Sequence, residues 1–282
     1  MSPAHAYNRE QRTRWNGPDG EYWASQSDRL DRTLGPVTGP LLEFAAPAAG
    51  STVIDVGCGC GAITLELAKI VGPRGRVTAI DLSEPMLGRA RERLRPYANT
   101  DFLLGDAAEL PLESLRAELI VSRFGVMFFG DPAAAFRNLR SGLVPGGRVR
   151  FACWRPIREN PWLQIPLHAA YDHAPRLPKP QPDEPGPFSF ADPERVTRVL
   201  TAAGFTAPTF QPLDIELDLA AGRTVDDAAV HASQTGPARR ALANQSADIQ
   251  ARALESIRRA LEPYASSEGV KLPGAVWLVA AN

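Results

Sequence analysis

Residues 53–67 read V-I-D-V-G-C-G-C-G-A-I-T-L-E-L, and the fold is decided in this stretch. Thr52 to Val56 is a short apolar, β-branched run, as expected of a strand buried on both faces. Gly57, Gly59 and Gly61 follow at alternate positions, and Ile63, Leu65, Leu67, Ala68 and Ile70 then begin a helical stretch. A strand, a glycine turn and a helix N-terminus together make a site where backbone can approach a nucleotide-type ligand closely. Asp55 lies within the strand end itself.

On the N-terminal side, residues 1–19 are polar and turn-rich, and Asn16-Gly17-Pro18-Asp19-Gly20 is a breaker. Tyr22, Trp23, Leu30 and Leu34 predict a helix over 21–34, which Gly35-Pro36 ends, with a second short helix over 37–46. On the C-terminal side the pattern repeats as strand and helix. Strands are expected over 76–80, ending at Asp81, over 101–104, ending near Asp106, and over 119–121 and 148–154. Ser83 is a candidate N-cap with Pro85 in the first turn, and Asp131-Pro132 caps a helix reaching Ser141. Alternating units of this length imply a parallel, doubly wound sheet.

The alternation stops at Arg155. Asn160-Pro161 opens a short amphipathic segment, and six prolines between Pro175 and Pro187 exclude regular helix or central strand. That run is expected to be a surface loop or lid within 155–191. A helix from Asp192-Pro193 to Ala203, an edge strand over 210–219, two helices at about 224–235 and 238–263, and a last strand over 275–280 complete the chain. The domain reading is an N-terminal helical arm, 1–48, on a main domain, 49–282, with a helical insertion over 220–270.

The acids discriminate where the glycines do not. Spacing is G-x-G-x-G rather than the dinucleotide G-x-G-x-x-G. Asp55, Asp81 and Asp106 stand at three successive strand ends, 26 and 25 residues apart, and such ends line one crevice. A pyrophosphate would be repelled there. S-adenosylmethionine, with a sulfonium, an ammonium and no phosphate, would be favoured. Asp81 offers an acceptor pair for ribose hydroxyls, and Asp106 an acceptor for an adenine amino group.

With these residues in place, the chain resembles the class I S-adenosylmethionine-dependent methyltransferases, in the group of ubiquinone/menaquinone-type and small-molecule enzymes. Residues 53–62 resemble the first motif, V-T-A-I-D-L-S-E-P-M-L (77–87) the second and F-L-L-G-D-A-A-E-L-P-L (102–112) the third. S-R-F-G-V-M-F-F-G-D-P (122–132) and L-R-S-G-L-V-P-G-G-R-V (139–149) resemble the passages after the fourth strand and into the fifth. The resemblance implies a Rossmann-like α/β fold with a seven-stranded, mostly parallel sheet whose last strand is antiparallel. It implies S-adenosylmethionine as cofactor and S-adenosylhomocysteine as product. Carried onto this sequence, it places Asp55, Gly57 and Gly59 at the methionine end and Asp81 at the ribose, with Cys58 among the cofactor-binding residues. Leu82 and Met86 fall near the adenine, Asp106 and Ala107 at its edge, and Ser122, Arg123 and Phe124 on the pocket floor.

The acceptor is less constrained. Trp15, Trp23, Phe124, Trp154 and Trp162 supply aromatic surface for a flat or apolar small molecule, although Trp15 and Trp23 could equally anchor the arm to the core. His168 and His173 are the candidate general bases, should one be needed. No metal site is expected: Cys58 and Cys60 form a C-x-C pair with no further ligands to complete it. A formal charge of −1 removes the electrostatic reason to expect nucleic acid or an anionic membrane. No apolar run approaches membrane-spanning length and no signal peptide is evident, so the expected location is the cytoplasm. Residues 122–125 are not the N/D-P-P-Y/F of nucleobase amino-methyltransferases. The expectation is methyl transfer to a small molecule on O, N or C, with a homodimer possible. The rivals are a cofactor-binding interaction module without transfer activity and a protein or RNA methyltransferase.

Overall fold

A computed structural model describes residues 3–179, 181 and 184–282. Its centre is the expected sheet. β1 (Thr52–Val56), β2 (Arg76–Asp81), β3 (Thr100–Leu104), β4 (Ala117–Arg123) and β5 (Leu143–Trp154) are parallel, in the spatial order β3-β2-β1-β4-β5. β8 (Gly269–Ala281) pairs antiparallel to β5, from Val149 opposite Ala281 to Trp154 opposite Val276. β6 (Thr209–Asp218) closes that edge against β8, and the two-residue β7 (Ala265–Ser266) turns back on β8. Val53, Ile54 and Val56 are buried, as are Leu119, Ile120 and Val121 beside them. That is the consequence of helices covering both faces of a parallel sheet.

α4 (Ala62–Val71), α5 (Glu84–Leu94) and α6 (Pro132–Ser141) follow β1, β2 and β4. Ser83 caps α5 by accepting from the Met86 N–H, and Asp131 caps α6 by accepting from the Ala134 N–H. The chain turns from β1 into α4 through Gly57, Gly59 and Gly61, all at positive φ. A Cβ on Gly57 would lie 2.7 Å from the Gly125 Cα. The first glycine is therefore needed so that the β1 and β4 loops can touch, besides any approach of a ligand.

The N-terminal arm departs from expectation. Residues 3–15 form a helix, α1, where a turn-rich segment was expected; α2 spans Pro18–Ser25. α3 runs unbroken from Ser27 to Ala45, with Pro36 and Pro40 inside it. An internal proline costs a helix roughly 3 kcal/mol. Leu34, Val37, Leu41 and Leu42 are buried on this helix, at roughly 1.5–3 kcal/mol each, so packing outweighs the two prolines. The expected helix over 238–263 divides into α10 (Gly236–Leu242) and α11 (Ala247–Leu261), with Ser246 capping the second through the Ile249 N–H. α9 (Val225–Ser233) begins in a capping box made by Thr224 and Asp227. α7 (Pro161–Ala170) and α8 (Pro193–Ala202) lie as expected, and the described residues of the proline-rich run form neither helix nor strand. Pro180, Pro182 and Asp183 of that run lie outside the described residues.

Candidate functional site

One chamber opens above the C-terminal ends of β1 to β4, where the parallel topology collects the strand-end loops. Its floor carries Asp55, Gly57, Cys58, Gly59, Asp81, Leu82, Met86, Asp106, Ala107, Arg123 and Phe124. Its cover carries Trp15 and Trp23 from the arm and Trp162, Leu163, His231 and Gly236 from α7, α9 and α10, while Trp154 enters from the end of β5. Of the residues expected from sequence at the cofactor or acceptor, all but Ser122 line this one chamber. Ser122 is fully buried, and its hydroxyl accepts from the Gly125 N–H at 3.1 Å; it shapes the loop after β4.

The three acids have different surroundings. Asp55 is 1% exposed and accepts from the Thr64 hydroxyl at 2.6 Å, tying β1 to α4. Burial pushes its carboxyl up to about 6, with the Thr64 bond and Arg123 opposing the rise. Asp81 accepts the Gly59 N–H at 2.8 Å on one oxygen and the Ser83 N–H at 2.9 Å on the other. The carboxylate thus braces the glycine turn, and each oxygen keeps a further lone pair for a ligand hydroxyl. Burial raises Asp81 and Asp106, and backbone N–H bonds hold both down. Asp106 takes the Ala108 N–H at 2.9 Å.

Arg123 is the one arginine or lysine lining the chamber among the described residues. It donates to the Thr38 hydroxyl at 2.8 Å and lies 3.8 Å from Asp31, so α3 holds it in place. Burial lowers its pKa, opposed first by Asp31 and then by Asp55. Phe124 follows with φ of +67°, an uncommon backbone state for an aromatic residue. That state accompanies a parallel stack of its ring on Trp154 at 4.0 Å. Trp162 continues the wall 5.0 Å from Trp154, and Trp23 and Phe128 meet Trp15 edge-on at 5.9 and 5.8 Å.

The cover is fastened to the floor by the arm. Asn16 donates to the Leu82 carbonyl and accepts from the Glu84 N–H, both at 2.9 Å, and Ser83 donates to the Trp15 carbonyl at 2.5 Å. Gly20 permits this junction, since a Cβ there would lie 1.9 Å from the Trp15 carbonyl oxygen. Asp19 joins Arg14 of α1 at 2.6 Å to Arg239 of α10. From the proline-rich run, Pro185 accepts from the Tyr7 hydroxyl at 3.3 Å and Pro187 reaches the chamber.

Neither histidine considered from sequence lines the chamber. His168 is exposed on the outer face of α7, and the half-buried His173 is 3.0 Å from the Ser256 hydroxyl. His231 does line it, at 1% exposure, and no motif marked it. Its only local signal is its place among the alanines of V-D-D-A-A-V-H-A-S, the inward stripe of a short helix.

An S-adenosyl cofactor fits these residues on their chemistry: carboxylates dominate the floor, the lone arginine is already paired, and Leu82, Met86 and Ala107 are apolar. The family model described as a methyltransferase domain matches residues 53–147. A demethylmenaquinone methyltransferase of Staphylococcus aureus is 39% identical over 100 residues, 36% of this chain and 42% of that protein. The chain thus spans less than half the length of the curated relatives it matches. A methyltransferase-like structure from Bacillus halodurans superposes with a TM-score of 0.56 at 17% identity, covering 86% of this chain and 97% of that one. A second, from a Haloferax volcanii complex with the activator Trm112, gives 0.53 at 16% identity over 93% and 95%. At such identities these likenesses concern the fold alone. Residues 53–147 thus match a methyltransferase domain, as the motifs read from the sequence led one to expect.

Proposed function

We propose that this protein transfers a methyl group from S-adenosylmethionine to a small, mainly apolar acceptor, on oxygen, nitrogen or carbon. The observation that carries the reading is the chamber's division into a carboxylate-bearing floor on strand-end loops and an aromatic cover supplied by other elements. When bound, the cofactor supplies an electrophilic methyl whose leaving group departs without help from an acid. The protein's task is then alignment and exclusion of water.

Asp81 would accept the ribose hydroxyls on the lone pairs left free by Gly59 and Ser83. Leu82 and Met86 would pack on the adenine, Asp106 and Ala107 would meet its edge, and Asp55 with the Gly57–Gly59 backbone would face the methionine end. Arg123, fixed by Asp31 and Thr38, would stand beside them. Phe124, Trp154, Trp162, Trp15 and Trp23 would sandwich a flat acceptor and keep water out. The arm over 1–48, the segment 155–191 and the helices over 220–270 are assigned to this cover. No described helix is long and apolar enough to cross a membrane.

The test is calorimetry with S-adenosylhomocysteine, followed by incubation of purified protein, labelled S-adenosylmethionine and a fractionated small-molecule extract. Saturable binding and label in a low-mass product are expected. Absence of cofactor binding, or label found only in protein or RNA, would overturn the reading.

A further inference from the structure

His231 has one nitrogen occupied and one facing the chamber. Its Nδ1 lies 3.2 Å from the Tyr22 hydroxyl, across 209 residues of sequence, so α2 grips α9 from the outer side. That hydroxyl has no other hydrogen bond among the described residues, and burial keeps the phenol protonated. A protonated Tyr22 can donate to Nδ1, and in that tautomer the ring proton sits on Nε2. Nε2 has no partner among the described residues. Nε2 is not enclosed, so it reaches the open space of the chamber, where the acceptor of a guest can complete it. Burial, with Arg29 adding to it, lowers the pKa of His231 to about 3, so the ring is neutral near pH 7.

The residues that α7, α9 and α10 bring to the chamber carry no charge, and Arg29, which acts on His231, does not line it. Leu163 touches the loop at Gly236, where a Cβ would lie 2.6 Å from its side chain, and Trp162 and Trp23 flank this side of the chamber. The ionised groups lining the chamber are Asp31, Asp55, Asp81, Asp106 and Arg123. The first and last are 3.8 Å apart, and Arg93 engages Asp31 as well at 2.6 Å. No unpaired cation lines the chamber among the described residues to receive an anionic guest.

We propose that His231, set in one tautomer by Tyr22, is the polar anchor for the guest, and that the chamber takes an uncharged, flat aromatic compound presenting a hydroxyl or carbonyl oxygen to Nε2–H. The inference rests on the proposed methyl transfer only in calling that guest the acceptor. It concerns recognition, so binding alone can test it.

Equilibrium dialysis of 2-naphthol, naphthalene and 2-naphthoate, with and without S-adenosylhomocysteine, reads the anchor without turnover. In the unaltered protein, 2-naphthol should bind about tenfold more tightly than naphthalene, the size of one buried hydrogen bond, and 2-naphthoate at least tenfold more weakly than 2-naphthol. His231→Leu should bring 2-naphthol to within about twofold of naphthalene and leave naphthalene binding unchanged. His231→Gln, whose amide can supply a similar N–H, should restore most of the preference, and Tyr22→Phe should lose part of it. The proposal is overturned if the 2-naphthol preference survives His231→Leu, if 2-naphthoate binds as well as 2-naphthol, or if the unaltered protein binds none of the three. Should His231→Leu fail to fold, Tyr22→Phe and His231→Gln decide: a preference unchanged in the first, or abolished in the second, overturns the anchor. A protein that shows the His231-dependent preference yet transfers no methyl group would sustain the anchor and sink the transfer reading.

Discussion

Asp55 and Asp81 have one side-chain type in two situations. Asp55 is held inside the sheet by Thr64, through its hydroxyl and its backbone, and its carboxyl is raised to about 6. A carboxyl raised on folding contributes stability that is present below its unfolded pKa and is lost as pH climbs through the folded value. A rise from 3.8 to about 6 corresponds to roughly 3 kcal/mol at neutral pH. Asp55→Asn keeps an acceptor for Thr64 and removes the ionisation. That variant should melt higher than the parent at pH 7, with the gap closing towards pH 4; a constant gap across the range would contradict the assignment. Asp81 instead braces the glycine turn and faces the chamber. Asp81→Ala should weaken S-adenosylhomocysteine binding by ~1–3 kcal/mol through lost charge-assisted hydrogen bonds. Calorimetry checks this, and unaltered affinity would remove Asp81 from the ribose.

Among the elements, the β1–α4 turn shows how a motif is constrained by its neighbours. Gly57 combines a φ of +67° with a backbone contact against Gly125. A left-handed backbone costs an ordinary residue roughly 1–2 kcal/mol, and a Cβ at 2.7 Å from another Cα forces one loop to move. Gly57→Ala should therefore cost at least ~2 kcal/mol in chemical denaturation and abolish cofactor binding even where the protein folds. The sequence pattern anticipated this glycine as ligand space, whereas its nearest obstacle is the β4 loop. α1 shows the opposite difficulty. Its sequence, P-A-H-A-Y-N-R-E-Q-R-T-R-W, is polar, and among its described side chains Asn8, Gln11 and Trp15, spaced three and four apart, turn to the chamber. Three residues of mixed polarity are too faint a stripe to read without the surface they cover. α3 defeats local reading for another reason: its prolines argue for a break, and buried neighbours from β5 and β6 override them.

The molecule as a whole closes its chamber with parts far apart in sequence. Asn16, Asp19, Tyr22 and Arg29 of the arm bond to the β2–α5 loop, α10, α9 and the carbonyls of Leu219 and Asp227. A ligand under this cover should slow hydrogen exchange in residues 7–25 as well as in the floor loops. Saturation with S-adenosylhomocysteine should lengthen amide protection there several-fold, measured by mass spectrometry. Protection confined to 53–107 would separate the arm from the site.

The mainly parallel sheet and the three acids at its strand ends were legible in the amino-acid order because each rests on short-range chemistry. Buried strands are apolar runs, turns need glycine, and strand-end acids recur with the βα repeat. The helical arm, the continuity of α3, the break between α10 and α11 and the position of His231 depended on tertiary structure. Each depends on which distant surface a segment meets: burial overrode two prolines in α3, and 209 residues separate His231 from the tyrosine that orients it. The acids proposed to hold the cofactor lie in consecutive loops, whereas the wall proposed for the acceptor exists only once α1, α2, α7, α9 and α10 have packed together.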